Sequence, residues 1–253
     1  INRDTQLHFM RTSYLYYTFS LLLFLLSITS EINAYNLRQY SSQNGLSNSA
    51  ILSLCQDNNG LMWIGTCDGL NIFDGTAPRL YKPANSRIGF SGNIIGNIME
   101  TEEDVLWIQT NYGLDRFDSH QQTIQSFKEF KDINKMTKSA TGDVYIIKDD
   151  GNIYYFNRRD NEFRKLDVGT VVFENVLQIV ADSSDILWIF SSDGSNQSYA
   201  IEKEKDEIKL SPHNHFNHPE KLLWASAENN LLYFIDSTYA FYEYDLNSQK
   251  KYY

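Results

Sequence analysis

Short hydrophobic runs alternate with turns rich in Gly, Asn and Asp along most of this chain. Such runs predict β-strands, because successive side chains of a strand point to opposite faces. Five segments share one pattern, in which an aromatic-centred strand, a tight turn and a second aromatic strand follow each other. They read LMWIGTCDGLNIFDG (61–75), VLWIQTNYGLDRFDS (105–119), DVYIIKDDGNIYYFN (143–157), ILWIFSSDGSNQSYA (186–200) and LLYFIDSTYAFYEYD (231–245).

The five copies are evenly spaced. Aligned on their central aromatic residues, they follow each other at intervals of 44, 38, 43 and 45 residues; these residues are Trp63, Trp107, Tyr145, Trp188 and Tyr233. A repeat of about 40 to 50 residues that holds several short strands is typical of propeller blades. We therefore predict an all-β fold, a β-propeller of four-stranded meander blades with about five blades within 35–253. The predicted units lie near 45–82, 93–130, 133–168, 175–211 and 220–253.

Each unit is expected to contain four strands, called a to d from the innermost to the outermost. In the first unit these are 51–57, 61–66, 69–74 and 79–82, with turns at 58–60 and 68–69 made of residues that tolerate positive φ. The later a strands are predicted at 94–101, 133–140, 176–182 and 222–228, and the later d strands at 124–130, 163–168, 208–211 and 249–253. Because the a strands are apolar and the d strands contain Lys, Arg and Gln, we expect the a strands to be buried and the d strands to be exposed to solvent.

Closure of the ring is less clear from the pattern. Segment 36–40 resembles a d strand that fits none of the five units. Propellers close when a strand from one terminus completes the blade at the other terminus. We expect an incomplete ring, as in a truncated seven-bladed propeller. The alternative is a closed five-bladed ring in which 36–40 pairs with 239–245.

The N-terminal segment 1–34 has the pattern of a secretory signal helix. Arg11 precedes the apolar run 15–28, and small and polar residues follow it up to Ala34. The run is short for a membrane span of about 20 residues. Met10 is a natural start for translation, in which case residues 1–9 would lie upstream of the translated protein. The alternative is an uncleaved membrane anchor.

Composition and charge narrow the function. The chain has a net charge of −10 and a pI near 4.9, which argues against nucleic acid as a partner because phosphate binding needs a basic surface. Export would permit a disulfide, but in a hairpin that turns at 58–60, Cys55 lies opposite Trp63 and several residue steps from Cys67. Both cysteines are therefore predicted to be free thiols.

Residues 45–75, GLSNSAILSLCQDNNGLMWIGTCDGLNIFDG, resemble the two-component regulator propeller repeat. That repeat has a GLS lead-in, an apolar strand ending in a D-x-x-G turn, and then WIGT-x-x-GL-x-x-FDG. The second unit is similar through Trp107-Ile108, Thr110, Gly113-Leu114 and Phe117-Asp118, and departs at Gln109, where the family usually has Gly. Units three and five have Tyr in place of Trp.

The resemblance implies the periplasmic sensor region of a hybrid two-component system. In that family the propellers precede a membrane helix, a histidine kinase and a receiver, and the ectodomains recognise oligosaccharides and control glycan-uptake genes. The implied partners are an oligosaccharide and the remainder of the sensor kinase chain, with a homodimer as a further possibility. This sequence holds no kinase motif, so it is expected to catalyse nothing and to need no cofactor.

The residues that define the repeat are interpreted as structural. Trp63, Trp107 and Trp188 should wedge between adjacent sheets, and the pairs Asp68-Gly69 and Asp193-Gly194 should serve as turn residues. This set comprises Trp63, Gly65, Gly69, Trp107, Gly113, Tyr145, Trp188 and Tyr233.

Ligand-binding candidates lie instead in the b–c turns and the d–a connections, which share one face of a meander propeller. Long loops on a rigid scaffold often carry binding, and sugars are held by aromatic, amide, carboxylate and Arg groups. The candidates are Arg87, Phe90, Asn93, Asn111, Tyr112 and Phe216. A second cluster, His213, His215 and His218, could converge on a metal, although a solvated loop is the simpler interpretation.

Three function classes remain open: an oligosaccharide-sensing module, an exported protein-interaction scaffold, and a propeller lyase or hydrolase. The last would need an acid/base pair or a metal at the channel mouth, and only the histidine cluster offers one.

The export hypothesis makes one direct prediction. If 1–34 is a cleaved signal peptide, N-terminal sequencing of the exported protein should begin near Tyr35, because small residues at 30 and 34 mark the cleavage region. A protein that retains segment 15–28 in the membrane fraction would instead support the anchor.

Overall fold

A computed structural model of the chain describes residues 20, 38–81, 89–169, 171–204, 207–213, 218, 220–228 and 230–252. The chain divides into two compact units, Ile1–Gln39 and Tyr40–Tyr253. Apart from Ser20, the predicted signal segment 1–34 lies outside the described residues. Among the residues described, no helix has the length and apolar character needed to span a membrane.

In the part of the chain that the structure describes, twenty strands form five antiparallel four-stranded sheets, each with its strands in sequence order. Blade 1 contains β1 (Ile51–Gln56), β2 (Met62–Thr66), β3 (Gly69–Phe73) and β4 (Arg79–Leu80). Blade 2 contains β5 (Ile95–Glu102), β6 (Val105–Thr110), β7 (Gly113–Asp118) and β8 (Thr123–Phe127). Blade 3 contains β9 (Ile133–Lys138), β10 (Val144–Lys148), β11 (Ile153–Asn157) and β12 (Glu162–Lys165). Blade 4 contains β13 (Val176–Ala181), β14 (Ile186–Ser191), β15 (Gln197–Glu204) and β16 (Glu207–Pro212), and blade 5 contains β17 (Leu222–Glu228), β18 (Leu231–Asp236), β19 (Phe241–Asp245) and β20 (Lys250–Tyr252).

The predicted β-propeller of four-stranded meander blades is confirmed. The first strand of a blade contacts the first strand of its neighbour, as β1 does with β5 and β13 with both β9 and β17. The first strands are therefore the a strands that line the central channel. One predicted d strand ends early, because Lys128–Phe130 forms a turn of 3-10 helix that buries Phe130.

Four core clusters join the five blades in consecutive pairs. Four of the five central aromatic residues sit inside them, with Trp63 2%, Trp107 1%, Trp188 1% and Tyr145 0% exposed, whereas Tyr233 is partly exposed and belongs to none of the four clusters. Trp107 of blade 2 reaches Phe156 and Phe163 of blade 3, with ring centroids 4.7 and 5.5 Å apart. The Trp107 ring thus packs between two adjacent blades, whereas Tyr233 stacks on Phe241 of its own blade with ring centroids 6.1 Å apart.

Two of the tryptophans are also fixed by the preceding a–b turn. The Trp63 indole N–H donates to Asp57 at 2.8 Å, and the Asp57 carboxylate also accepts the backbone N–H groups of Asn59 and Leu61. Asp182 makes the same set of bonds in blade 4, with Trp188 at 2.7 Å. The first aspartate of the a–b turn thus accepts hydrogen bonds from the turn amides and from the indole N–H, the only polar atom of the tryptophan side chain.

The a strands are less buried than their apolar sequence led us to expect. The b strands are more deeply buried, and β1 exposes Ile51, Leu52 and Leu54, the last at 60%. An a strand has the channel on one side, whereas a b strand has sheets on both faces. Within the described ranges, β1 also shares no core cluster with a preceding blade.

The described residues of blades 1 and 5, at the two ends of the propeller, do not share a core cluster. Residues 38–40 are not in a strand, and β19 pairs with β18 and β20. The pairing of 36–40 with 239–245 that would close a five-bladed ring is therefore not seen in the described residues. Tyr40 instead packs on Phe73 of blade 1, with ring centroids 5.2 Å apart.

The cysteines behave as predicted. Both are free thiols, and Cys55 lies opposite Trp63 in the β1–β2 ladder. Cys55 is half-buried, and this burial raises the pKa of its thiol.

The wedge interpretation predicts a large loss of stability when an indole is removed from between two blades. Trp107→Ala should lower the free energy of unfolding by about 3 to 5 kcal/mol through the cavity that it leaves. Trp224→Ala is the matched control, since Trp224 is 46% exposed, and it should cost less than about 1 kcal/mol. Chemical denaturation of both variants measures the difference, and equal losses would refute the wedge role.

Candidate functional site

One backbone hydrogen bond recurs at the upper face of all five blades, the face of the b–c turns and d–a connections. The residue after strand b donates its N–H to the carbonyl of the residue before strand a, at 2.8 to 3.2 Å. The pairs are Cys67 to Ala50, Asn111 to Ile94, Asp149 to Asp132, Ser192 to Asn175 and Ser237 to Lys221. Each b–c turn is thereby held beside the d–a connection that enters its blade.

A β-bulge recurs just below this hydrogen bond. In every blade the register between strands a and b skips the second residue of strand a. A bulge leaves one residue out of the ladder and redirects its side chain. The five bulged residues, all at the upper end of the channel wall, are Leu52, Gly96, Asn134, Leu177 and Leu223.

The upper ends of blades 1 and 2 are fixed by matching buried networks. In blade 1, Ser47 bonds the Thr66 hydroxyl at 3.0 Å, and its N–H donates to Asn71 at 2.9 Å. In blade 2, Ser91 bonds the Thr110 hydroxyl at 2.7 Å, and its N–H donates to Asp115 at 2.7 Å. The serine before strand a and the threonine at the end of strand b therefore form the same hydrogen bond in both blades.

The glycine of WIGT has a packing role. A Cβ on Gly65 would lie 2.3 Å from the Ser53 hydroxyl and 2.7 Å from the Ile95 carbonyl oxygen of blade 2. Blade 2 has Gln109 at this position, and its side-chain amide donates to the Ile133 carbonyl of blade 3 at 2.8 Å. A side-chain hydrogen bond thus replaces close backbone approach as the link to the next blade.

Three of the predicted ligand-binding residues come together on the upper face between blades 1 and 2. Asn93 donates its side-chain amide to Asp68 at 3.1 Å, and its carbonyl accepts the Gly69 N–H at 2.6 Å. The Asn111 side chain accepts the Ile94 N–H at 3.2 Å. Tyr112, at the tip of the b–c turn, is 62% exposed.

The other three candidates are placed differently. Phe90 packs against Phe117 and Tyr81 in the core between blades 1 and 2, with ring centroids 5.6 and 6.3 Å apart. Its ring thus serves packing. Arg87 and Phe216 lie outside the described residues.

The histidine cluster does not form a metal site among the residues that the structure describes. His218 is buried, and its Nε2 lies 3.0 Å from the Asp236 carboxylate. Hydrogen bonds from the Thr238 hydroxyl and then from His218 lower the pKa of Asp236. His213 directly follows β16, and His215 lies outside the described residues. His218 therefore fixes the b–c turn of blade 5, much as Ser47 does in blade 1.

Sequence reasoning missed the bulged residues and Tyr239. Tyr239 has a φ of 63° in the b–c turn of blade 5 and is 83% exposed. It occupies a turn as Tyr112 does, and the five-fold repeat of the turn could have identified both. Bulges leave no such signal, because one extra residue in an apolar strand does not disturb the hydrophobic pattern.

The upper face carries the carboxylate of Asp193. Hydrogen bonds from the hydroxyl and N–H of Ser195 lower the pKa of Asp193 in the b–c turn of blade 4. Together with exposed tyrosines and side-chain amides, this surface offers rings for stacking and groups that bond hydroxyls.

Comparison with known proteins agrees with this architecture. The family model of the two component regulator propeller matches residues 45–68. Histidine kinase P4 of Formosa agariphila is 34% identical over 67 residues, which is 25% of this chain and 5% of that protein. The repeat that the sequence resembles is thus confirmed.

Solved structures show the same fold. The extracellular domain of the hybrid two component system BT3049 from B. thetaiotaomicron has a TM-score of 0.63 and 20% identity, covering 85% of this chain and 31% of that one. The extracellular domain of the one component system BT4673 from the same organism has a TM-score of 0.50 and 15% identity, covering 80% of this chain and 35% of that one. This chain spans about a third of each structure.

The paired networks of blades 1 and 2 predict that Asp115 can be replaced by an amide. Burial raises the pKa of Asp115, although bonds from Ser126 and Ser91 oppose the shift. Ionised Asp115 therefore costs stability above the pKa of an unfolded Asp. Asp115→Asn should keep or raise the free energy of unfolding at pH 7, by up to about 1 kcal/mol, since Asn71 fills this position in blade 1. The gain should shrink as the pH falls through the ordinary Asp range.

Denaturation of Asp115→Asn at pH 7 and pH 4 measures this effect. Asp57→Asn is the control, because Asp57 accepts three hydrogen bonds, and it should cost about 1 to 3 kcal/mol. A similar loss for Asp115→Asn would contradict the prediction.

Proposed function

We propose that this chain is the extracytoplasmic ligand-sensing propeller of a hybrid two-component signalling system, and that it recognises an oligosaccharide and so regulates glycan-utilisation genes. The match of residues 45–68 to the two component regulator propeller and the shared fold of two extracellular sensor domains support the sensing role. The chemistry of the upper face supports the ligand class.

The observation that carries the proposal is the backbone hydrogen bond and the β-bulge that recur at the upper end of each blade. The same hydrogen bond and the same bulge hold five turns and five redirected residues around the channel. Binding sites need loops positioned by a rigid scaffold. The tips of these turns vary between blades, with Asp68, Tyr112, Asp193 and Tyr239 at different positions around the channel.

The proposed partner in signalling is the remainder of the sensor kinase chain, and the proposed location is the periplasm. A homodimer belongs to the same proposal. The outer face of blade 5 exposes Trp224 at 46% and Phe241 at 54%, with Tyr233 stacked on Phe241 at 6.1 Å. Exposed apolar faces of this kind favour association, which light scattering of the purified chain would detect.

An exported protein-interaction scaffold is the second candidate function, because the same exposed faces suit a protein partner. A lyase or hydrolase is less well supported, since His218 is engaged with Asp236. Turnover of polysaccharide, tested with and without a chelator, separates the enzyme from the two binding functions.

The proposal predicts that Tyr112 contributes to glycan binding. A glycan array probed with the purified chain should identify oligosaccharide ligands, and Tyr112→Ala should weaken binding of the best ligand by about tenfold, the loss of one aromatic stacking contact. Tyr252→Ala is the matched control, because Tyr252 is 49% exposed on the outer strand β20. It should leave binding unchanged.

Two results would contradict the proposal. An array without any glycan ligand, combined with specific capture of a protein, would favour the scaffold. Glycan binding that survives Tyr112→Ala and Tyr239→Ala together would move the site away from the upper face.

A further inference from the structure

Blade 2 places an arginine where another blade places a core residue. Arg116 on β7 lies opposite Trp107 on β6 and Gln125 on β8. In blade 1 the residue opposite the wedge tryptophan is Ile72, which is 8% exposed and belongs to the core. Arg116 is half-buried and lines a cleft of about 230 Å³ between blades 2 and 3.

The Arg116 guanidinium makes no hydrogen bond or ion pair with the described residues of the chain. This is notable in a protein with 32 acidic and 22 basic residues, since a half-buried guanidinium usually has a carboxylate partner. Arg158, which lines the same cleft, shows the usual arrangement, with Glu102 at 2.8 Å and Asp143 at 3.8 Å. The cleft therefore holds one uncompensated positive charge.

The walls of the cleft supply groups that bond hydroxyls. Asn161 enters from the c–d turn of blade 3, where its side-chain amide donates to Gln125 at 2.7 Å. Thr101 and Glu102 enter from the last two positions of β5 in blade 2, next to the a–b turn. Amide, carbonyl and carboxylate groups of this kind accept or donate to sugar hydroxyls.

A glycine keeps the cleft narrow. Gly142, with a φ of 79°, lies so close to its neighbours that a Cβ would be 2.5 Å from Nη2 of Arg158 and 3.1 Å from the Thr101 carbonyl oxygen. The aromatic residues Trp107 and Phe156 line the inner end. The volume is below the usual range for drug-sized ligands, which limits the occupant to a small molecule.

We propose that this cleft binds a small hydroxylated carboxylate, of the size and chemistry of a single sugar acid. The planar guanidinium of Arg116 binds the carboxylate through two parallel hydrogen bonds. The groups of Asn161, Thr101 and Glu102 bond the hydroxyls. The a–b turns that form the cleft lie at the opposite end of the blades from the b–c turns, so this site is separate from the upper face and does not depend on the proposed function.

NMR titration of the full chain tests the site directly, with the Trp107 indole N–H as the local reporter. D-Glucuronate should shift the Trp107 signal at millimolar concentration and leave the Trp224 signal unchanged. D-Glucose and acetate should each bind at least about tenfold more weakly, because glucose lacks the carboxylate and acetate lacks the hydroxyl groups. Equal shifts with glucuronate and glucose, or none with glucuronate, would overturn the proposal.

Variants assign the binding to the guanidinium. Arg116→Gln should weaken glucuronate binding at least about tenfold, and Arg116→Lys should restore only part of it, since Lys keeps the charge without the planar fork. Arg79→Gln is the matched control, because Arg79 pairs with Asp74 on the surface of blade 1. If Arg116→Gln binds glucuronate as the unmodified chain does while its thermal stability is unchanged, the cleft is not the site.

Discussion

The packing of one large aromatic side chain between consecutive sheets is the interaction on which this structure depends. A four-stranded blade has two broad faces and cannot bury both by itself, so each blade is stabilised by its neighbour. Trp107 shows how the contact is made: it stacks on Phe127 of its own blade and meets Phe156 of the next blade edge to face. The a–b turn supports this contact from below where Asp57 and Asp182 bind the indoles.

The rigidity created by these wedges lets the two ends of the blades differ in chemistry. At the upper end, a backbone hydrogen bond and a bulge repeat in every blade, while the residues at the turn tips change. At the lower end, Arg116 replaces a core residue and opens a cleft between blades 2 and 3. A geometry that repeats in every blade, combined with turn residues that differ between blades, is expected of a recognition scaffold.

The strand order and the wedge residues could be predicted from the sequence, because the repeat places an aromatic residue and a turn at nearly fixed spacing. Individual roles were harder to predict. Phe90 was assigned to a binding loop, yet its ring fills the core beside Phe117, because a loop residue next to an inter-blade groove can be buried by it. The burial of the a strands was overestimated, since a strand that is apolar on both faces in sequence still has the channel on one side. His218 bonds to Asp236, which lies 18 positions further along the chain, so no local sequence pattern predicts this contact.

Hydrogen–deuterium exchange of the intact chain tests most directly whether shared inter-blade cores hold the propeller together. The account predicts the slowest amide exchange in β6, β10 and β14, the b strands of blades 2 to 4, because each of them lies between two neighbouring sheets. It predicts faster exchange in β1 and β17 at the ends of the propeller, where Leu54 and Trp224 are exposed. Uniform protection across all five blades, or slow exchange in β1, would contradict it.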